Sequence, residues 1–126
     1  MKKDIKTRKD LEIIVLSFYT KVSNDELLGK VFENTLQNHW DKHISTMVDF
    51  FDNMIFYSGA YLGNPMELHL VLNTTKHLSH EQFDRWLIVF EATVTSVYEG
   101  VNTDTLLEKT TNIAKYLENK IVDQNE

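Results

Sequence analysis

Apolar residues return every three or four positions through most of this chain, and that period dictates helices. Leu11, Ile14, Val15, Phe18 and Val22 follow the spacing that places side chains along one helical face. Leu36, Trp40, Ile44, Met47, Phe51 and Met54 keep the same period, with no proline or glycine from about Leu36 to Phe56 to interrupt it. Phe83, Trp86, Leu87, Phe90 and Val94 form a third stripe, and Leu106, Leu107, Ile113, Tyr116, Leu117 and Ile121 a fourth. No segment alternates convincingly with period two, so the expected fold class is all-α.

Punctuation between the stripes sets the expected boundaries. Ser23 with Glu26 reads as a capping box opening a short second helix, and Ser79 with Gln82 reads as another. Between them YSGAYLGNP gathers two glycines and the single proline, where Asn64-Pro65 reads as an N-cap and first helical residue for a short helix, PMELHLVL. Gly100 is expected near the end of the helix that Ser79 starts, with Asn102 or Thr103 capping the last one.

Composition narrows the function classes. The 126 residues suit one domain spanning 1–126 and can bury a core without a staple. There is no cysteine, which excludes disulfides, thiolate metal sites and cysteine nucleophiles. No apolar run approaches the roughly 18 residues that would cross a bilayer. The basic start MKKDIKTRKD leads into the patterned LEIIVLSFY rather than the apolar core of a secretory signal, so the expected location is the cytoplasm. A net charge of −6 with scattered Lys and Arg argues against a nucleic-acid partner.

Histidines are the visible metal chemistry. In HWDKH, His39 and His43 stand one helical turn apart, the spacing of a helical zinc pair. The residue after His39 is Trp40, however, so the carboxylate that would activate a zinc-bound water is missing, and no third ligand is assigned. Tyr19 and Trp86 bring a phenol and an indole onto apolar faces, where buried polar tips need partners. Taken singly, each reads as a residue at the rim of the core with its polar atom in water.

Together these features resemble a truncated haemoglobin of group III. The motifs run in that family's order over most of the chain: FYxxV (Phe18 to Val22), Gly29 with Phe32, WxxH (Trp40 to His43), YxGxPxxxH (Tyr61 to His69) and HEQFDRWLxxF (His80 to Phe90). The resemblance implies a truncated globin fold, a helical sandwich around a haem b pocket. His69 would be the proximal ligand of the iron, and Tyr19, His43 and Trp86 the distal residues. Phe32, Met47, Leu68 and Phe90 would line the pocket. Proximal histidine ligation leaves the opposite face of the iron open, and the three distal residues are candidate donors to the partial negative charge of a bound diatomic ligand.

The sequence departs from the family's pattern in two places. Phe50-Phe51 stands where Phe-Trp is usual, which keeps an aromatic and removes an indole donor. The stretch LVLNTTKHLSHEQFDR between His69 and Trp86 is longer than usual and makes His77 and His80 rivals to His69, although His69 completes the YxGxPxxxH pattern. Arg85 and Lys76 are candidate partners of the haem propionates.

The function implied is reversible binding of dioxygen, nitric oxide or carbon monoxide. Any catalysis would be nitric oxide dioxygenation or peroxide chemistry, with an external reductase because the chain has no nucleotide or flavin motif. A haem-free globin-shaped sensor or interaction module is the alternative from another class. A zinc hydrolase is a poor third.

Overall fold

The structure, a computed structural model, describes residues 2–36, 40–57 and 78–121. Five helices lie in these segments: α1 (Arg8–Ser23), α2 (Gly29–Leu36), α3 (Trp40–Phe56), α4 (His80–Thr95) and α5 (Val101–Ile121). Among the described residues there is no strand, and one isolated parallel bridge joins Lys3 to Tyr98. The all-α expectation holds. No helix among them is long and apolar enough to cross a membrane. The Asn64-Pro65 turn, the short helix after it, Leu68, His69, Lys76, His77 and His39 lie outside the described residues.

Each long helix buries the stripe its sequence announces. On α1 the buried residues are Leu11, Ile14, Val15, Phe18, Tyr19 and Val22, joined by Asp10 at the helix start. The Asp10 carboxylate accepts from the backbone N–H of Lys6 (2.9 Å) and Thr7 (3.1 Å), satisfying donors that the first turn leaves without partners. The helix α3 turns Met47, Val48, Phe51 and Ile55 inward, with His43, Thr46 and Asp52 on the same face. On α4, Phe83, Trp86, Phe90, Thr93 and Val94 are buried. The helix α1 packs against α2, α3 and α4, while α5 packs against α4 and α3. The α1/α3 pair therefore lies over the α4/α5 pair, and the core fills the space between.

Several boundaries differ from the sequence reading, each for a local reason. The capping box expected at Ser23 and Glu26 does not form: Ser23 is the last residue of α1, and its hydroxyl donates back to the Tyr19 carbonyl at 2.7 Å. Asp25 does the capping instead, accepting from the N–H groups of Leu27 (2.9 Å) and Leu28 (3.1 Å). Gly29 follows because a Cβ there would stand 2.7 Å from the Ser23 carbonyl oxygen, closer than packing allows. The helix expected from Leu36 begins at Trp40, and Leu36 closes α2. At α4 the box predicted at Ser79 and Gln82 is present, with Gln82 N–H to Ser79 Oγ at 3.2 Å and the reciprocal bond at 2.9 Å.

The largest difference lies at the start of α5. Neither Asn102 nor Thr103 caps this helix, which begins at Val101. The cap comes from the other end of the chain: the Asp4 carboxylate accepts from Asn102 N–H (2.9 Å), Thr103 N–H (2.9 Å) and Thr103 Oγ1–H (2.8 Å). Burial pushes the Asp4 pKa up, but these bonds and one from Ile5 N–H outweigh it and hold the carboxyl below its ordinary range. Gly100, expected near the end of α4, stands just before α5; α4 stops at Thr95. Its φ of +144° suits glycine, and a Cβ there would fall 2.4 Å from Asp4 Cγ. Tyr98 secures the same corner by donating to Asp10 Oδ1 at 3.0 Å, and burial together with that carboxylate raises its phenol to about 12. Asp4→Ala will therefore cost about 2 kcal/mol, the upper part of the range for a lost cap, in denaturant unfolding. Gly100→Ala will destabilise by a similar amount, because both changes break the same clasp.

Candidate functional site

Three polar side chains from three helices meet inside an aromatic shell. Tyr19 comes from α1, His43 from α3 and Trp86 from α4, and they converge because α1 packs against both other helices. All three are buried, at 3%, 1% and 8% exposure. The structure thus overturns the reading of Tyr19 and Trp86 as rim residues with wet polar atoms.

The Tyr19 hydroxyl lies 2.8 Å from His43 Nε2, a buried hydrogen bond. Burial pushes the Tyr19 phenol well above its ordinary range, and the Trp86 indole N–H acts on the same group in the opposite sense. A phenol so placed stays protonated and keeps a hydrogen to donate. Burial also lowers the His43 pKa to about 4, because a charged imidazole would lose its hydration with no carboxylate to replace it. His43 is therefore neutral at pH 7 and carries one N–H. Its second ring nitrogen, Nδ1, is buried without a hydrogen-bond partner among the described residues.

Rings fix these positions. Phe18 sets its edge against Tyr19 (centroids 4.8 Å apart), Trp86 (4.9 Å) and Phe90 (5.1 Å). Phe90 stacks on Trp86 at 5.4 Å with 9° between the planes, and Phe32 and Trp40 flank Tyr19 at 6.0 and 5.9 Å. Met47 is buried one turn beyond His43. Phe51, expected as ordinary core, is fully buried against Phe90 at 5.5 Å. The Phe50-Phe51 pair thus fills space without adding a polar donor, and Tyr19, His43 and Trp86 remain the polar members of this cluster.

No protein-family model matches the chain. The group 3 truncated hemoglobin ctb of Campylobacter jejuni is 31% identical to it over 107 residues, covering 82% of each. The chain belongs to the group III truncated haemoglobins. The fold agrees: the crystal structure of the group III truncated hemoglobin from Campylobacter jejuni superposes with a TM-score of 0.76 at 26% identity, over 96% of this chain and 95% of that one.

Within this truncated haemoglobin, Tyr19, His43, Trp86, Phe32, Met47 and Phe90, the members of the expected site that are described, are all buried. Sequence reasoning missed the bond between the first two, since positions 24 residues apart on different helices carry no local signal of contact. Of the HWDKH pair, His43 has its Nε2 2.8 Å from the Tyr19 hydroxyl, while His39 lies outside the described residues. His80 stands at the start of α4 with Nδ1 2.7 Å from Glu118 Oε2 on α5. Arg85 Nε donates to Asp25 Oδ2 at 2.8 Å, so one of its nitrogens already holds a carboxylate of the protein.

Proposed function

We propose that this globin binds haem b and holds a diatomic ligand, dioxygen foremost, beneath the Tyr19–His43–Trp86 cluster. His69 is the proximal ligand in this reading, and Phe32, Met47, Leu68 and Phe90 are the apolar contacts of the macrocycle. The observation that carries it is the buried Tyr19–His43 pair, at 2.8 Å, with an imidazole nitrogen that has no partner among the described residues. A core built only for packing gains nothing from such a group, since a buried unpaired polar atom costs about 1–3 kcal/mol. The donors fit a small polar guest, and the surrounding rings fit an apolar macrocycle.

Haem, when bound, would supply the iron that takes up the diatomic ligand. Everything else falls to the side chains. The aromatic shell excludes water, which strengthens any hydrogen bond made inside it. Tyr19, kept protonated, offers a donor, and the Trp86 indole N–H supports it by bonding to the phenol. One charge-assisted contact of roughly 1.5–3 kcal/mol slows ligand release by about ten- to a hundredfold. Slow release suits retention of dioxygen for reaction with nitric oxide or for peroxide chemistry, and each cycle then needs an external, cytoplasmic reductant.

Visible spectra of the purified protein supplied with haem test the reading. A Soret band that moves on reduction and again on adding carbon monoxide is the expected result. A protein that refuses haem sinks the reading and leaves the globin-shaped sensor in its place.

A further inference from the structure

An open groove of about 240 Å³ runs between α4 and α5. Leu87, Phe90 and Leu107 form its apolar part, with Glu91, Glu108 and Thr111 beside them. That volume falls below the roughly 300–1,000 Å³ of pockets that enclose a small molecule, so the groove suits one long side chain of a partner better than a free ligand. Its charge says which side chain. Glu91 and Glu108 are exposed and form no ion pair among the described residues. The cations Arg85, Lys109 and Lys115 on the same two helices are occupied elsewhere: Arg85 with Asp25 at 2.8 Å, Lys109 over the Tyr57 ring at 5.7 Å and Lys115 with Asp84 at 3.3 Å. A lysine or arginine fits both parts of the groove, its aliphatic stem on the apolar residues and its charged head with the carboxylates. A second copy of this chain is a poor occupant, since each copy carries a net charge of −6.

Position says what the partner does. Phe90 belongs both to the groove and to the ring shell of the candidate site: it is 1% exposed and stacks on Trp86 at 5.4 Å. In the haem-globin reading it also touches the macrocycle. Electron transfer weakens steeply with distance, so a protein that delivers an electron gains most by sitting where the wall over the macrocycle is thin. Such encounters are small, weak and steered by charge, which asks for a few carboxylates around a modest apolar patch rather than a broad interface.

We propose that the α4/α5 groove is where an electron-donating protein docks on this globin, laying a lysine or arginine of its basic face over Leu87, Phe90 and Leu107 with the cationic head at Glu91 and Glu108. One electron leaves the donor and one arrives at ferric iron, with no atom or proton exchanged at the groove. The inference rests on the haem-globin reading above and supplies the partner surface for the reductant that reading requires.

Two measurements on the haem-loaded protein test it, with cytochrome c, a small lysine-rich electron carrier, as the probe. In the first, the isotopically labelled ferrous carbon-monoxide form is titrated with ferric cytochrome c. Amide shifts will move at Leu87, Glu91, Glu108 and Thr111 and return as salt is raised. Shifts gathered on another face overturn the proposal, and so does a titration without shifts. Groove shifts that appear on concentrating the globin alone make the surface a contact between copies and overturn it as well. In the second, ligand-free ferrous globin is mixed anaerobically with ferric cytochrome c, so that one electron leaves the globin and reduces the probe, the reverse direction through the same contact. Glu91→Gln combined with Glu108→Gln will slow this transfer by about three- to tenfold at low salt, and the difference will shrink at high salt. Glu33→Gln, at an exposed carboxylate on α2, will leave the rate unchanged. Equal rates for the groove variant and the wild type overturn the proposal. Both groove substitutions are at exposed positions and will leave the fold and the Soret band as they are. A wild-type protein without a Soret band condemns the haem reading itself, a result seen before either measurement begins and distinct from both.

Discussion

Replacing His69 by glycine will leave the protein unable to retain haem, and added imidazole will restore both the Soret band and ligand binding. The proximal bond is the single covalent attachment between iron and a histidine-ligated globin, so its loss leaves only apolar contacts and propionate partners to hold the macrocycle. Free imidazole can then occupy the space the side chain vacates. His77→Gly and His80→Gly will keep haem, which separates His69 from its two rivals in the lengthened stretch before Trp86. For His80 there is a structural reason: its Nδ1 lies 2.7 Å from Glu118 Oε2, a contact that ties the start of α4 to α5. His80 is half exposed but Glu118 is buried, so removing the imidazole leaves a buried carboxylate short of a partner, at about 1–3 kcal/mol. Its removal will therefore cost some stability and no haem. Haem loss in His80→Gly with retention in His69→Gly would reverse the assignment.

What the sequence disclosed about this fold divides along the range of the forces involved. The long helices α1, α3, α4 and α5 were legible because each is amphipathic over several turns, and one face is visible as a stripe. The start of α4 was legible because Ser79 and Gln82 are three residues apart and cap each other. Where a cap is supplied from elsewhere, the reading failed. Asp4 satisfies the start of α5 from 98 and 99 residues away, and nothing near Asn102 announces it. The same chemistry misled at Ser23, where a hydroxyl has two outlets, the preceding helix and the following one. It bonds back to Tyr19 and leaves the second helix to Asp25.

The candidate site divides in the same way. Tyr19, His43 and Trp86 could be singled out by residue type and by resemblance. Their mutual contact could not, because it depends on how α1 lies against α3 and α4. The sequence reading aimed three independent donors at one ligand. The structure instead bonds two of them together, so the hydrogens available to a guest are fewer than the residues suggest.

The same buried imidazole makes the protein labile to mild acid. His43 has an ordinary pKa of 6.5 and is lowered to about 4 by burial, with Tyr19, itself uncharged, as its hydrogen-bond partner. In the unfolded chain the ring takes up a proton as pH falls through 6.5, while in the folded protein it does so only near 4. Between those values the unfolded state binds more protons, so stability falls as pH falls. The full loss is about 3 kcal/mol, reached below pH 4. Asp4, Asp10 and Asp25 also titrate to the protein's disadvantage: burial pushes them up, but the hydrogen bonds they accept outweigh it and hold each below the usual 3.8. Their contributions are present above that value and vanish below it, so the two windows separate. Denaturant midpoints measured from pH 7 to pH 4.5 will decline in the wild type and stay nearly level in His43→Gln, which has nothing to titrate at that position. Parallel profiles for the two proteins would mean that the imidazole is not neutral and buried as described.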